Sequence, residues 1–271
     1  MKITFIGGGN MAQAIIGGLC RGGFDAADIK VAEPVAEART RLSADFGVQT
    51  QPAAAQCAPY GDLVVMAVKP QQMREAATAL LPGLQPGQVV LSIAAGIRLT
   101  DLSRWLGGHS RLIRCMPNTP ALIGAGVTAA YAMPAVSANQ VADAERVLNT
   151  MGKSLWVAEE ALLNAVTAIS GSGPAYVFYF IEALEQAAGE LGLAPDAART
   201  LALETFLGSA RLAAGSSDDP ATLRTKVTSK GGTTEAALAA MDGDRVKAAI
   251  VKAAHAANAR AIELGEQLGK D

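Results

Sequence analysis

The segment that most constrains this chain is its beginning. Residues 2–6 form a short apolar run with the look of a buried strand, and they pass directly into Gly7-Gly8-Gly9-Asn10-Met11-Ala12. Residues 10–21 then read as a helix. Gly7, Gly9 and Ala12 fit the G-x-G-x-x-G/A pattern at the point where a strand gives way to a helix. Each position has a physical job. The first glycine makes the tight turn, the second lets backbone approach a pyrophosphate, and the small third residue permits close helix-on-strand packing. The helix start offers free N–H groups and partial positive charge to phosphate. Glycines alone would be weak evidence, since turns use them anyway. The strand–turn–helix setting carries the inference that Ile6, Gly7, Gly8, Gly9, Asn10 and Met11 surround a bound dinucleotide.

Strands and helices continue to alternate. Strands are expected at residues 29–32, 63–68, 89–93, 111–115 and 127–131, and helices at 35–46 and 72–81. This alternation implies βαβ units and a mostly parallel sheet. Glu33 falls at the end of the second strand, where an acidic residue binds the ribose 2′-hydroxyl of NAD and repels a 2′-phosphate. Arg39 and Arg41 follow on the next helix. They could pair with a 2′-phosphate, but are read first as a solvated helix face. Locally, Glu33 favours NADH.

From Glu159 onward no strand pattern is present. Ala, Leu and Glu dominate, with breaks expected at residues 170–174, 192–195, 215–220 and 229–232, so the second part reads as all-helical. At roughly 100–200 residues per domain, 271 residues suit two domains, here 1–157 and 158–271. Apolar residues occupy both faces of residues 176–191, which marks either a core helix or a subunit interface. The formal net charge is −2 and no basic run stands out, which argues against nucleic acid. Cys20, Cys57 and Cys115 are scattered and His109 and His255 are the only histidines, so no metal site is expected. With no apolar stretch of about 20 residues and no leader pattern, neither a membrane span nor export is expected, and the location is read as cytoplasmic.

Five further segments complete a combination: Ala67-Val68-Lys69-Pro70, Ser92-Ile93-Ala94-Ala95-Gly96, Arg114-Cys115-Met116-Pro117-Asn118-Thr119-Pro120, Ser170-Gly171-Ser172-Gly173-Pro174-Ala175-Tyr176 and Val227-Thr228-Ser229-Lys230-Gly231-Gly232-Thr233-Thr234. With the glycine turn, they resemble pyrroline-5-carboxylate reductase over essentially the whole chain. The resemblance implies an N-terminal Rossmann-like α/β domain and a C-terminal all-α domain that interlocks with a second copy, in dimers that often build rings. It also implies reduction of the C=N bond of pyrroline-5-carboxylate to give proline. The cofactor would be NADP(H) or NAD(H). Either would be used, with NADPH retained, because the family accepts both and often favours NADPH.

By the same resemblance, Ala67, Val68, Lys69 and Ala94 line the cofactor. Ser229, Gly232 and Thr233 hold the substrate carboxylate, and Thr234 bonds the ring nitrogen as the catalytic residue. Glycines before a helix start suit a carboxylate, although a plain Ser/Thr N-cap would look similar. Asn118 either meets the nicotinamide carboxamide or loop backbone, or is an Asx-type turn residue. Glu160 either contacts substrate, as in some relatives, or is a helix-start acid. Two departures stand out: Lys230 replaces a proline common in the family, and Ala55 stands near an asparagine that touches adenosine in some relatives. A hydroxyacid dehydrogenase of the same plan, with Lys226 or Lys230 as its lysine, is the main alternative. A cofactor sensor without turnover is the other.

Overall fold

The computed structural model describes residues 1–270. The elements run β1 (Ile3–Ile6), α1 (Asn10–Arg21), β2 (Ile29–Ala32), α2 (Ala36–Phe46), β3 (Gln49–Gln51), α3 (Ala54–Cys57), β4 (Leu63–Met66), α4 (Met73–Leu80), β5 (Val89–Ser92) and α5 (Leu99–Trp105). They continue as β6 (Leu112–Met116), β7 (Gly126–Ala132), α6 (Ala138–Leu148) and β8 (Gly152–Trp156). Helices follow: α7 (Leu162–Val166), α8 (Gly173–Glu190), α9 (Pro195–Gly215), α10 (Pro220–Lys226), α11 (Thr233–Gly243) and α12 (Val246–Leu268).

Packing divides the chain into Met1–Ser172 with Ala257–Asp271, and Gly173–Ala256. This division falls later than the boundary expected at 157/158, and it returns the end of α12 to the first unit. The first unit is built on an eight-stranded sheet of order β3-β2-β1-β4-β5-β6-β7-β8, parallel except between β6 and β7. Both faces of its central strands are covered, which is why β1, β4 and β5 read as continuous apolar runs rather than alternating ones. Ile3 and Phe5 of β1 face one core with Ile15, Leu19 and Leu148. Ile6 faces the other with Met66, Met73, Leu80 and Leu102.

The expected interruption at residues 170–174 is present: a π turn ends at Gly171, Ser172 is a bend, and α8 starts afresh at Gly173. Residues Thr167–Gly171 form a π turn, and Ser172 N–H donates to the Thr167 carbonyl at 2.8 Å. The hydroxyls of Thr167 and Ser170 take the carbonyls four residues back, at 2.7 and 3.1 Å, as the helix widens by one residue at its end. The breaks before α9, α10 and α11 stand where glycine and proline placed them.

Within the second unit, Phe180 meets Phe206 across α8 and α9 with ring centroids 6.5 Å apart. Yet between Gly173 and Ala256 only Ala198 and Ala202 are buried. Phe178 is 64% exposed, Tyr179 71% and Leu201 55%. The helix at residues 176–191 is therefore no core helix of a single chain. A unit that buries two alanines lacks the apolar area to stand alone, and its exposed aromatic and leucine faces are of the kind that mark an association surface. No helix among the described residues is long and apolar enough to cross a membrane.

Candidate active site

The carboxyl ends of β1, β4, β5 and β6 share one edge of the sheet, because these strands are mutually parallel. The chain order reverses at β1, which lies between β2 and β4. Open α/β sheets bind ligands outside the carboxyl ends of their strands, at such a switch point. Four of the quoted segments emerge there: residues 7–9, 67–70, 93–96 and 117–119.

The glycine turn is fixed by contacts that exclude side chains. Gly7 has φ +96°, and a Cβ on it would lie 2.8 Å from the Ala67 carbonyl oxygen. This brings the turn against the Ala67–Val68 backbone, and Ala67 N–H donates to the Ile6 carbonyl at 2.8 Å. The Ile6 side chain itself lies in the core, so its contribution to the site is backbone. A Cβ on Gly8 would meet Leu42 at 2.5 Å, whereas one on Gly9 would meet nothing. Gly9 is the N-cap of α1 and no side chain caps it. The first helical N–H with an intrahelical partner is that of Gln13, bonded to the Gly9 carbonyl at 2.9 Å. The amides of Asn10, Met11 and Ala12 are thus first-turn donors ahead of the intrahelical ladder, the space beside Gly9 is open, and the residues present fit a pyrophosphate. Gln13 adds a brace that sequence reasoning missed: its Nε2 donates to the Gly8 carbonyl at 2.9 Å.

Glu33 stands at the end of β2. Its two oxygens accept from Gly8 N–H and Val35 N–H, each at 3.0 Å. Arg39 is not a solvated helix residue. Its Nη1 donates to the carbonyls of Glu33 and Pro34 at 2.9 and 2.8 Å, folding the side chain over the same strand end. Arg41 is exposed. Lys69 is exposed at the end of β4, and Ala94 is buried past the end of β5. Asn118 makes no Asx turn. Its Oδ1 accepts from Val127 N–H at 2.9 Å, closing the loop between β6 and β7 and leaving its amide donors for another partner.

Glu160 has a structural engagement that the sequence did not announce. Its Oε1 accepts from Arg114 Nη1 and from the Leu99 N–H at the start of α5, both at 2.9 Å. Arg114, in the middle of β6, is 3% exposed. The first turn of α7 begins beyond Glu160, at Leu162, so the carboxylate anchors a buried guanidinium and another helix's start rather than its own.

The second unit carries the loop at residues 229–234. Gly231 has φ +72°, and its N–H donates to Glu235 Oε2 at 2.7 Å. Gly232 N–H donates to the Ser229 carbonyl at 3.1 Å, and Ser229 Oγ lies 2.5 Å from where a Gly232 Cβ would stand. The loop is not an ordinary Ser/Thr cap: the N-cap of α11 is Gly232, without a side-chain bond. The first helical N–H with an intrahelical partner belongs to Ala236. Thr233, Thr234 and Glu235 therefore lead a helix with open donors. Lys226 is paired with Asp218 at 2.5 Å, while Lys230 is exposed.

Residues 160–264 match the family model described as pyrroline-5-carboxylate reductase dimerisation. Residues 2–96 match the model described as NADP oxidoreductase, coenzyme F420-dependent. The pyrroline-5-carboxylate reductase of Pseudomonas aeruginosa is 44% identical over 269 residues, covering 99% of this chain and 98% of its own. The chain belongs to the pyrroline-5-carboxylate reductase family. The Escherichia coli reductase is 35% identical over 99% of this chain and 98% of its own. Among solved structures, the Coxiella burnetii pyrroline-5-carboxylate reductase superposes with a TM-score of 0.92 at 38% identity, covering 97% of this chain and 98% of that one. The Plasmodium falciparum reductase, solved with NADP bound, gives 0.87 at 26% identity over 98% of both chains. NAD(P)H is the cofactor class of this pyrroline-5-carboxylate reductase family member, and its helical part is a dimerisation domain. A 3-hydroxyisobutyrate dehydrogenase from Mycobacterium tuberculosis reaches a TM-score of 0.52 at 18% identity and shares the fold alone. The hydroxyacid dehydrogenase alternative has no further support, and the ion-paired Lys226 does not suit it.

Proposed function

We propose that this chain transfers hydride from NAD(P)H to the C=N bond of pyrroline-5-carboxylate, giving proline. The observation that carries the proposal is the uncapped start of α11 behind Ser229, Gly232 and Thr233, in a chain that matches the reductases from end to end. A carboxylate suits such a start, because backbone N–H groups converge there with the positive end of the helix dipole. We assign the substrate carboxylate to Ser229, Gly232 and Thr233, and the ring nitrogen to the Thr234 hydroxyl. Lys230 adds positive charge beside the carboxylate.

Gly7, Gly8, Gly9, Asn10 and Met11, with the Ile6 backbone, would hold the dinucleotide. Glu33 would take its ribose, and Ala67, Val68, Lys69, Ala94 and the Asn118 amide would line its nicotinamide side. Bound reduced nicotinamide supplies the hydride, so the protein's task is position and electrostatics. Holding two reactants at near-attack distance is worth several kcal/mol, up to roughly 7–11 in well-oriented models. Thr234 orients the nitrogen and relays to it a proton taken from water, so that its own hydroxyl is restored. We assign Glu160 to the framework rather than to the substrate, because Arg114 and Leu99 already engage it. The chain acts in the cytoplasm as a homodimer, and dimers assemble further into a ring.

Loss of reduced-nicotinamide absorbance with pyrroline-5-carboxylate tests the proposal. Rapid turnover is expected, and Thr234→Ala lowers kcat well beyond any change in cofactor affinity. Binding of NAD(P)H without turnover would sink the reaction assigned here and leave a sensor. Unchanged turnover in Thr234→Ala would remove that residue from the mechanism.

A further inference from the structure

We infer that Glu33 makes this chain discriminate against a 2′-phosphate on its cofactor, so that NADH binds more tightly than NADPH. The inference rests on reading residues 7–11 as the dinucleotide turn, and it goes beyond that reading by choosing between the two cofactors. A carboxylate at the end of the second strand is the usual partner of the ribose hydroxyls. A mobile glutamate there could swing aside for a phosphate. This one cannot do so freely, because Gly8 N–H holds one oxygen and Val35 N–H the other, each at 3.0 Å. Leu42, fully buried, fills the space behind Gly8.

The Glu33 carboxylate takes these bonds from backbone N–H groups, not from a side-chain cation. It has no ion-pair partner among the described residues. Lys30, three residues before it, stands over the Tyr60 ring, and Arg39, six residues after it, spends its Nη1 on the Glu33 and Pro34 carbonyls rather than on the carboxylate. Each carboxylate oxygen keeps acceptor capacity beyond its bond to backbone, which suits two hydroxyl donors. A 2′-phosphate would instead bring a charge of about −1.5 to −2 against a fixed carboxylate. With Glu33 removed, the same phosphate would meet Arg39, already folded over that strand end. One side chain thus opposes the 2′-phosphate, and the residue beside it would favour the phosphate once the first is gone.

Calorimetric titration of the full-length protein with NADH and with NADPH, without substrate, tests this directly. The wild-type protein is expected to bind NADH at least about tenfold more tightly, the scale set by one like-charge contact near a protein surface. Glu33→Ser should invert the ratio, tightening NADPH while weakening NADH. Glu33→Gln keeps one carbonyl acceptor, preserves the shape of the strand end, and should move the ratio the same way by a smaller factor. It also keeps the test decisive if the serine variant folds poorly. Equal or tighter binding of NADPH by the wild-type protein, or an unchanged ratio in Glu33→Gln, overturns the inference. Because the readout is binding alone, it is separable from the proposed reaction. Imine reduction with a preference for NADPH would sink this inference only, and an NADH preference without imine reduction would sink the reaction only.

Discussion

Removing Glu160 should unsettle the first unit more than removing its partner does, and the structure gives the reason. Arg114 and Glu160 are 2.9 Å apart, with side chains 4% and 21% exposed. In Glu160→Ala the guanidinium is left charged and buried, and Leu99 N–H loses its acceptor. Breaking a buried pair this way costs roughly 3–5 kcal/mol, and the partial exposure of Glu160 places this case near the lower end, about 3. In Arg114→Met the surviving carboxylate reaches water and keeps Leu99, so the cost falls to about 1–2 kcal/mol. The double variant Arg114→Met/Glu160→Gln should lie close to Arg114→Met, because the second change then removes little. Trp105 and Trp156, the only tryptophans, both belong to the first unit, so urea unfolding followed by tryptophan fluorescence reports on that unit. Protein concentration must be held fixed, since self-association contributes to apparent stability. A Glu160→Ala cost below about 1 kcal/mol, or one smaller than that of Arg114→Met, would refute the reasoning and reopen Glu160 as a substrate contact.

Three further outcomes are expected. Gly7→Ala forces a side chain into φ +96° and onto the Ala67 carbonyl. It should weaken NADH and NADPH together, with a stability loss of about 1–2 kcal/mol or more, measured by titration and melting. Phe178→Asp places a charge on an exposed aromatic of the dimerisation domain. Light scattering after size-exclusion chromatography should show dissociation, and an unchanged mass would mean that α8 does not carry the contact. Burial pushes the Cys57 thiol up to about 11. The folded state then holds a proton that the unfolded chain releases near its ordinary pKa of 9.0, so stability falls as pH rises between those values, by at most about 1.4 kcal/mol per pH unit. Melting temperatures of wild type and Cys57→Ala at pH 8 and 10 check this, with a flatter profile expected for the variant.

The parts of the fold that could be read from sequence are those with an apolar pattern or a backbone requirement. The bounds of α1 and β2 follow from the glycine turn and from a run buried on both faces. The strands β3 and β8 were missed because they are the sheet's two edges. Edge strands are short and polar: β3 is Gln49–Gln51, and β8 carries Lys153 and Ser154. α6 was also missed, although its signal was present. Ser137 and Gln140 form a reciprocal capping box. The turn between α11 and α12 turns on Arg245 at φ 55°, a conformation that arginine does not advertise. In the site, the turns at the strand ends were legible because the motifs demand them. The engagement of Glu160, Arg39 and Asn118 was not, because each bond depends on which backbone group the fold brings near.

The return of the chain after Ala256 has a consequence for how the protein is made. A Cβ on Gly265 would lie 3.0 Å from the Gly96 carbonyl oxygen, so the end of α12 rests directly on the turn that follows β5. Arg104 Nη2 grips the Gly269 carbonyl at 2.8 Å. Every strand of the sheet leaves the ribosome before these residues do. The cofactor unit therefore waits, with Gly96 and its neighbours uncovered, while the whole helical segment is synthesised. Contacts so distant in sequence close late, so a nascent chain halted before residue 257 should be a better client for a chaperone than a binder of dinucleotide.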